Sequence, residues 1–150
     1  MKEIYDINDM RILGNCTLCP RECRVNRFEG GNGYCSMDAG LNIATICIHR
    51  GEEPVISGSE GICNIFFAGC NLHCVYCQNH EISQCDFRGG NNFSDLEEVL
   101  DKIAMILSEG IPAIGFVSPS HVIPQVKAII RGLNGRGFIP LTVYNTNSYD

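Results

Sequence analysis

"ICNIFFAGCNLHCVYCQNHEIS", residues 62 to 83, joins an apolar run directly to a loop carrying three cysteines. The run from Ile62 to Ala68 is bounded by Gly61 and Gly69, as expected of a strand buried on both faces. Cys70, Cys74 and Cys77 follow in the spacing C-x3-C-x2-C, with no fourth cysteine at close range. A strand that ends in a thiol-bearing loop points to a ligand site at the C-terminal edge of a sheet.

Downstream, "SDLEEVLDKIAMILSEG" (94 to 110) places Leu96, Val99, Leu100, Ile103 and Leu107 at helical spacing. Ser94 and Glu97 suit a capping box, and Gly110 suits the helix end. "AIGFV" (113 to 117) reads as a second buried strand. "PQVKAIIRGL" (124 to 133) reads as a helix opened by Pro124, and "IPLTVY" (139 to 144) as a third strand. The order β-α-β-α-β predicts a parallel sheet with right-handed crossovers. Its C-terminal loops are the cysteine loop, "SPSH" and "NTNS", all polar. Upstream, "LNIATICIH" (41 to 49) reads as a further short strand. The turn-rich "CTLCPRECRVNRFEGGNGYC" (16 to 35) reads as a loop organised by something other than a hydrophobic core. Two regions follow: a cysteine-rich metal-binding region over 1–50 and an α/β unit of three β/α repeats over 51–150.

The chain has 150 residues and ten cysteines. The polar, charged start "MKEIYDINDMRILGN" lacks the apolar core of a signal peptide. The cysteines are therefore expected as thiols in a reducing, cytoplasmic setting rather than as a disulfide framework. No stretch approaches the ~18 apolar residues of a membrane span. Eleven basic against seventeen acidic side chains give a net charge of -6, which makes no electrostatic case for nucleic acid.

Three thiolates on one short loop can hold three corners of a [4Fe-4S] cluster and leave the fourth iron open. Zinc and purely structural cysteines are the competing readings. Structural zinc wants four protein ligands, and His73 and His80 are the nearest additional donors, His80 being the better placed. Cys16, Cys19, Cys23 and Cys35, as C-x2-C-x3-C-x11-C, form a second set of thiols. Zinc, a fully ligated iron–sulfur cluster, and an empty or partial site all remain open there.

C-x3-C-x2-C after a buried strand, with Tyr76 before the last cysteine, resembles the signature of the radical SAM superfamily. "CTLCPRECRVNR", "HRGEEPVISG", "FFAGCNLHCVYCQNHEIS" and "VYNTNSYD" resemble its pyruvate formate-lyase activating enzyme-like branch. The resemblance implies a partial (β/α) barrel, of which three units are present here behind the cysteine-rich loop region. It implies an enzyme in which the open iron chelates S-adenosylmethionine and the reduced cluster cleaves it to a 5′-deoxyadenosyl radical that abstracts hydrogen. The electron donor would be a flavodoxin or ferredoxin. The resemblance leaves the substrate open; a protein glycine is the class implied by analogy with enzymes that install a glycyl radical. By the same resemblance Tyr76 lies near the adenine and Asn79 shapes the loop. Ser118, Ser120 and His121 stand where relatives carry Gly-Gly-Glu against the methionine amino group. Asn145, Thr146, Asn147 and Ser148 stand where they carry Asp-Thr-Asn-Gly. The alternative from another class is a non-catalytic iron–sulfur or zinc module for electron transfer or scaffolding.

Other residues read more plainly. Cys47, Cys63 and Cys85 show no metal spacing, and the first two sit in strand text as small core residues. His49 reads as part of a polar loop rather than a ligand, Glu52 and Glu53 as solvated acids rather than substrate-binding groups, and the Lys and Arg residues are too scattered to form a patch. Barrels of this kind usually have about six β/α units, so the chain is expected to be the N-terminal half of a longer enzyme, with its third strand an open edge.

Overall fold

The computed structural model describes residues 5–31, 33–84 and 95–149. Helix α1 (Ile7–Arg11) leads into a single 3-10 turn, Ile12–Asn15. The irregular cysteine-rich segment follows, with one further 3-10 turn at Arg27–Glu29. Then come β1 (Ile43–His49), the one-turn helix α2 (Pro54–Ser57), β2 (Ile62–Phe67) and the one-turn helix α3 (His80–Ser83). Helix α4 (Leu96–Ser108), β3 (Ala113–Val117), α5 (Ile123–Gly135) and β4 (Leu141–Asn145) complete the chain.

The four strands form one mixed sheet in the order β1-β2-β3-β4. Strand β1 runs antiparallel to β2, with a register shift between Ile43 and Thr45, whereas β2, β3 and β4 are parallel. The arrangement follows from the sequence. The residues of α4 and α5 recur apolar at helical spacing, so each helix can cross over the sheet and bury one face. Val99, Leu100, Ile103 and Ile106 from α4 join Val126, Ala128, Ile129 and Leu133 from α5. Together they pack on Ile65, Phe67, Ile114 and Phe116 of the central strands. Gly132 lets the helices touch: a β-carbon there would collide with the Leu100 side chain.

The cap of α4 differs from the expected box. Asp95 is the N-cap, its carboxylate accepting from the Glu97 N–H at 3.1 Å, and Ser94 lies outside the described residues. Asp shares with Ser the short side-chain oxygen that a cap needs, so the same local chemistry is met one residue later. Gly110 takes a left-handed φ of 96° just past the helix, and Pro124 sits in the first turn of α5. Strand β4 is the most exposed of the four, with Leu141 62% exposed and Ile139 beside it 86% exposed. Among the described residues, no helix is long and apolar enough to cross a membrane.

Candidate metal centres

The chain leaves β2 through Ala68 and Gly69. Gly69 adopts φ 69°, and a β-carbon on it would run into the Cys35 carbonyl and the Met37 side chain. Glycine here lets the exit from β2 lie directly against the N-terminal cysteine segment. The Gly69 N–H donates to the Ile82 carbonyl at 2.9 Å, which closes the Cys70–Cys77 loop at its base. Inside the loop the Cys77 N–H donates to the Cys74 carbonyl at 3.1 Å, and Gln84 Nε2 donates to the same carbonyl at 2.8 Å. Two of the sulfurs already have polar neighbours. The Leu72 N–H donates to Cys70 Sγ at 3.4 Å, and Cys77 Sγ lies 3.3 Å from the hydroxyl of buried Ser83. The outer rim is apolar and open: Leu72 is 48% exposed, Val75 98% and Tyr76 84%.

Beside Cys70 lies a cavity of about 120 Å³ lined by Asn71, Leu72, Ser118, Ser120, Asn145, Thr146 and Asn147. It is built from the three loops that leave the C-terminal ends of β2, β3 and β4. Asn147 Nδ2 donates to Asn71 Oδ1 at 2.8 Å, and the Asn147 N–H donates to Ser120 Oγ at 3.4 Å, tying those loops together. Ser118 is held at φ 54°, turning the chain sharply out of β3 into the 3-10 turn Pro119–His121. The structure thus gathers Ser118, Ser120, Asn145 and Thr146 at Cys70. It separates three other residues from them. Tyr76 stands out on the rim, and Asn79 precedes α3, its carbonyl accepting from Ser83 at 2.9 Å. His121 is buried: one ring nitrogen, Nε2, is 2.8 Å from the Ala68 carbonyl, and burial pushes its pKa down to about 4. The imidazole is therefore neutral, and it faces the N-terminal cysteines instead of the Cys70 cavity.

The second set of thiols is also gathered. Cys16, Cys19, Cys23 and Cys35 line one small space, about 10 Å³, together with Arg21, Arg27, Tyr34 and His121. Reciprocal backbone bonds hold its floor: the Cys16 N–H donates to the Val25 carbonyl at 3.0 Å and the Arg24 N–H to the Cys16 carbonyl at 2.9 Å. The Tyr34 N–H donates to Cys23 Sγ at 3.3 Å. Burial raises the pKa of the Cys35 thiol, and the nearby Arg27 guanidinium works against that rise. As the side chains stand, no three His, Cys, Asp or Glu residues among those described focus on a single point as one metal ion requires. His73 is occupied in a ring stack with Tyr34, centroids 4.4 Å apart, and His80 is exposed on α3.

The two loops touch. Arg21 lies over the Tyr34 ring at 3.8 Å and donates through Nε to the Asn71 carbonyl at 3.1 Å, while Tyr34 stacks on His73 between Cys70 and Cys74. Arg21, Arg27, Tyr34 and Asn71 escaped the sequence reading. The available signal was their position inside or next to the cysteine motifs; nothing local marks Arg27 as buried. Glu52 also exceeds its reading as a solvated acid: it accepts from Asn64 Nδ2 at 3.0 Å and, with Glu53, lines a 350 Å³ cavity on the sheet. Cys63 is a core residue whose thiol pKa burial pushes up to about 12, and Cys85 lies outside the described residues.

Residues 56–133 match the family described as 4Fe-4S single cluster domain, and since that is just over half of its length the chain belongs to this family. An uncharacterized protein of Methanocaldococcus jannaschii is 43% identical over 76 residues, 51% of this chain and 21% of the relative. A second uncharacterized protein of the same organism is 27% identical over 95 residues, 55% of this chain and 27% of the relative. The chain thus spans about a quarter or less of the length of these relatives. No solved structure matches.

These findings correct the radical SAM assignment and its activating-enzyme branch: the family that matches is defined by a single [4Fe-4S] cluster, and the relatives are uncharacterized. The physical reason is plain. C-x3-C-x2-C specifies three thiolates around a cubane and says nothing of what the remaining iron binds. What stands is the coarser statement, an iron–sulfur cluster domain.

Proposed function

We propose that this chain is an iron–sulfur module that holds its cluster through Cys70, Cys74 and Cys77 and exchanges electrons with a redox partner. The observation that carries the reading is the placement of these thiols. They lie inside the family-matched segment, on a loop rimmed by exposed Leu72, Val75 and Tyr76. Cys63, within the same segment, is sealed in the core and cannot compete as a ligand. Electron-transfer encounters use small surfaces, and an apolar rim round a partly exposed cluster suits a flavodoxin- or ferredoxin-like donor. The loop's N–H and hydroxyl contacts to sulfur would tune the potential.

A second reading makes the open iron catalytic, with S-adenosylmethionine as its ligand. It is favoured by the 120 Å³ polar cavity at Cys70, where Ser118, Ser120, Asn145, Thr146 and Asn147 offer hydrogen-bonding groups. On that reading the bound cofactors would supply the radical chemistry, and these side chains would bind and orient the ligand. One experiment separates the two. After anaerobic reconstitution, Cys70→Ala, Cys74→Ala and Cys77→Ala should each remove about four iron and four sulfide per chain. The electron paramagnetic resonance signal of the reduced cluster should be unchanged by S-adenosylmethionine. A changed signal with release of 5′-deoxyadenosine would establish the second reading, and iron and sulfide contents equal to wild type in all three variants would defeat both.

A further inference from the structure

We propose that Cys16, Cys19, Cys23 and Cys35 form a second metal centre, four thiolates around a thiophilic metal, with buried Arg27 as its counter-charge. The centre lies outside the family-matched segment and does not rest on the reading of the Cys70 loop.

The argument begins with Arg27. Its side chain is 1% exposed. Its guanidinium donates to the Asp38 carbonyl at 3.0 and 2.7 Å and to the His121 carbonyl at 2.8 Å. All these acceptors are neutral backbone oxygens. Among the described residues, no carboxylate forms an ion pair with Arg27. A buried cation with hydrogen bonds and no opposite charge is costly. Four cysteines line the same space as Arg27, whereas the carboxylate of neighbouring Asp38 is turned to the Gly40 N–H and Asn42 Nδ2. Four thiolates on zinc, or on a fully ligated iron–sulfur cluster, leave a net anion, which is the charge Arg27 lacks.

The backbone gives independent support. Glu22 (φ 40°), Arg24 (φ 56°) and Ser36 (φ 61°) all take left-handed conformations without being glycine. Such residues cost free energy and persist where their surroundings over-determine them. Glu22 and Arg24 flank Cys23, and Ser36 directly follows Cys35. Gly33 comes so close to Cys23 that a β-carbon would sit 3.0 Å from its sulfur. The Tyr34 N–H donates to that same sulfur. This segment has few apolar residues to bury, and metal binding would supply the free energy that a hydrophobic core does not. All four cysteines line one shared space of about 10 Å³.

The test uses the full chain carrying Cys70→Ala, Cys74→Ala and Cys77→Ala, so that any metal found is not at that loop. Zinc, iron and sulfide are measured after expression with both metals supplied. About one zinc per chain, or about four iron with four sulfide, supports the centre and tells the two occupants apart. A folded chain with neither overturns it. If the variant fails to fold, the wild-type chain decides instead, because metal beyond about four iron must be held elsewhere than the Cys70 loop. Arg27→Gln keeps every thiol and should raise the dissociation constant in a chelator competition at least tenfold. Arg27→Lys should recover part of that loss, and unchanged affinity in Arg27→Gln would overturn the counter-charge role.

Discussion

The two cysteine loops pack against each other and yet differ in kind. The loop of Cys16 to Cys35 buries two of its four thiols and closes over a small space with a buried guanidinium beside it. The loop of Cys70 to Cys77 keeps all three thiols partly exposed, raises an apolar rim to solvent and opens onto a cavity of about 120 Å³. The contrast separates two uses of sulfur. Enclosure with complete ligation favours a structural centre, whereas exposure with one ligand too few favours exchange with something outside the chain. Arg21 and Tyr34, stacked towards His73, fix the closed loop as a wall for the open one.

The largest effect is expected from stripping metal. With a chelator, amide hydrogen exchange should rise throughout 16–35, where the segment has little else to hold it, while α4 and α5 keep their protection. Equal loss in both regions would erase the distinction. In the opposite direction, Leu100→Ala should cost about 2–5 kcal/mol in denaturant unfolding, because Leu100 is fully buried against Gly132. Metal content per folded chain should stay the same. A variant that lost metal as well would mean that the helices and the cysteine loops unfold as one unit.

The smallest effect concerns the join between the chain's start and the sheet region. Asp9 of α1 accepts from Lys127 at 2.8 Å and from Arg131 at 2.6 Å on α5, and these bonds hold its carboxyl pKa below the ordinary value. A depressed folded pKa stabilises above the unfolded value of about 4 and ceases to do so as pH falls through the folded value. Asp9→Asn should therefore lower stability at neutral pH by about 1 kcal/mol or less, the scale of surface pairs. As pH falls through the folded value the two proteins should converge, and urea titrations at neutral and at acid pH would check it.

The β/α region was the more legible of the two because its information is local. Alternating strand and helix periods mark β2, α4, β3, α5 and β4 wherever they occur, and the cap at Asp95 moved by one residue without changing the helix it starts. The cysteine spacings likewise announced two thiol sets before any fold was known. Which neighbours those sets have was not legible. His121 lies in a polar loop in sequence but turns inward to the Ala68 carbonyl, because the left-handed turn at Ser118 redirects the chain. Glu52 was read as solvated and instead binds Asn64 from the next strand.

By itself, then, the sequence determined the alternation of elements and the number and spacing of thiols on each loop, since both are written within short stretches by periodicity and side-chain type. Only the tertiary structure decided that Arg27 is buried beside the N-terminal thiols and that Tyr34 meets His73. It alone decided that three separate loops close one cavity at Cys70. These depend on residues far apart along the chain, brought together by the pairing of β1 with β2 and by the parallel order of the strands that follow.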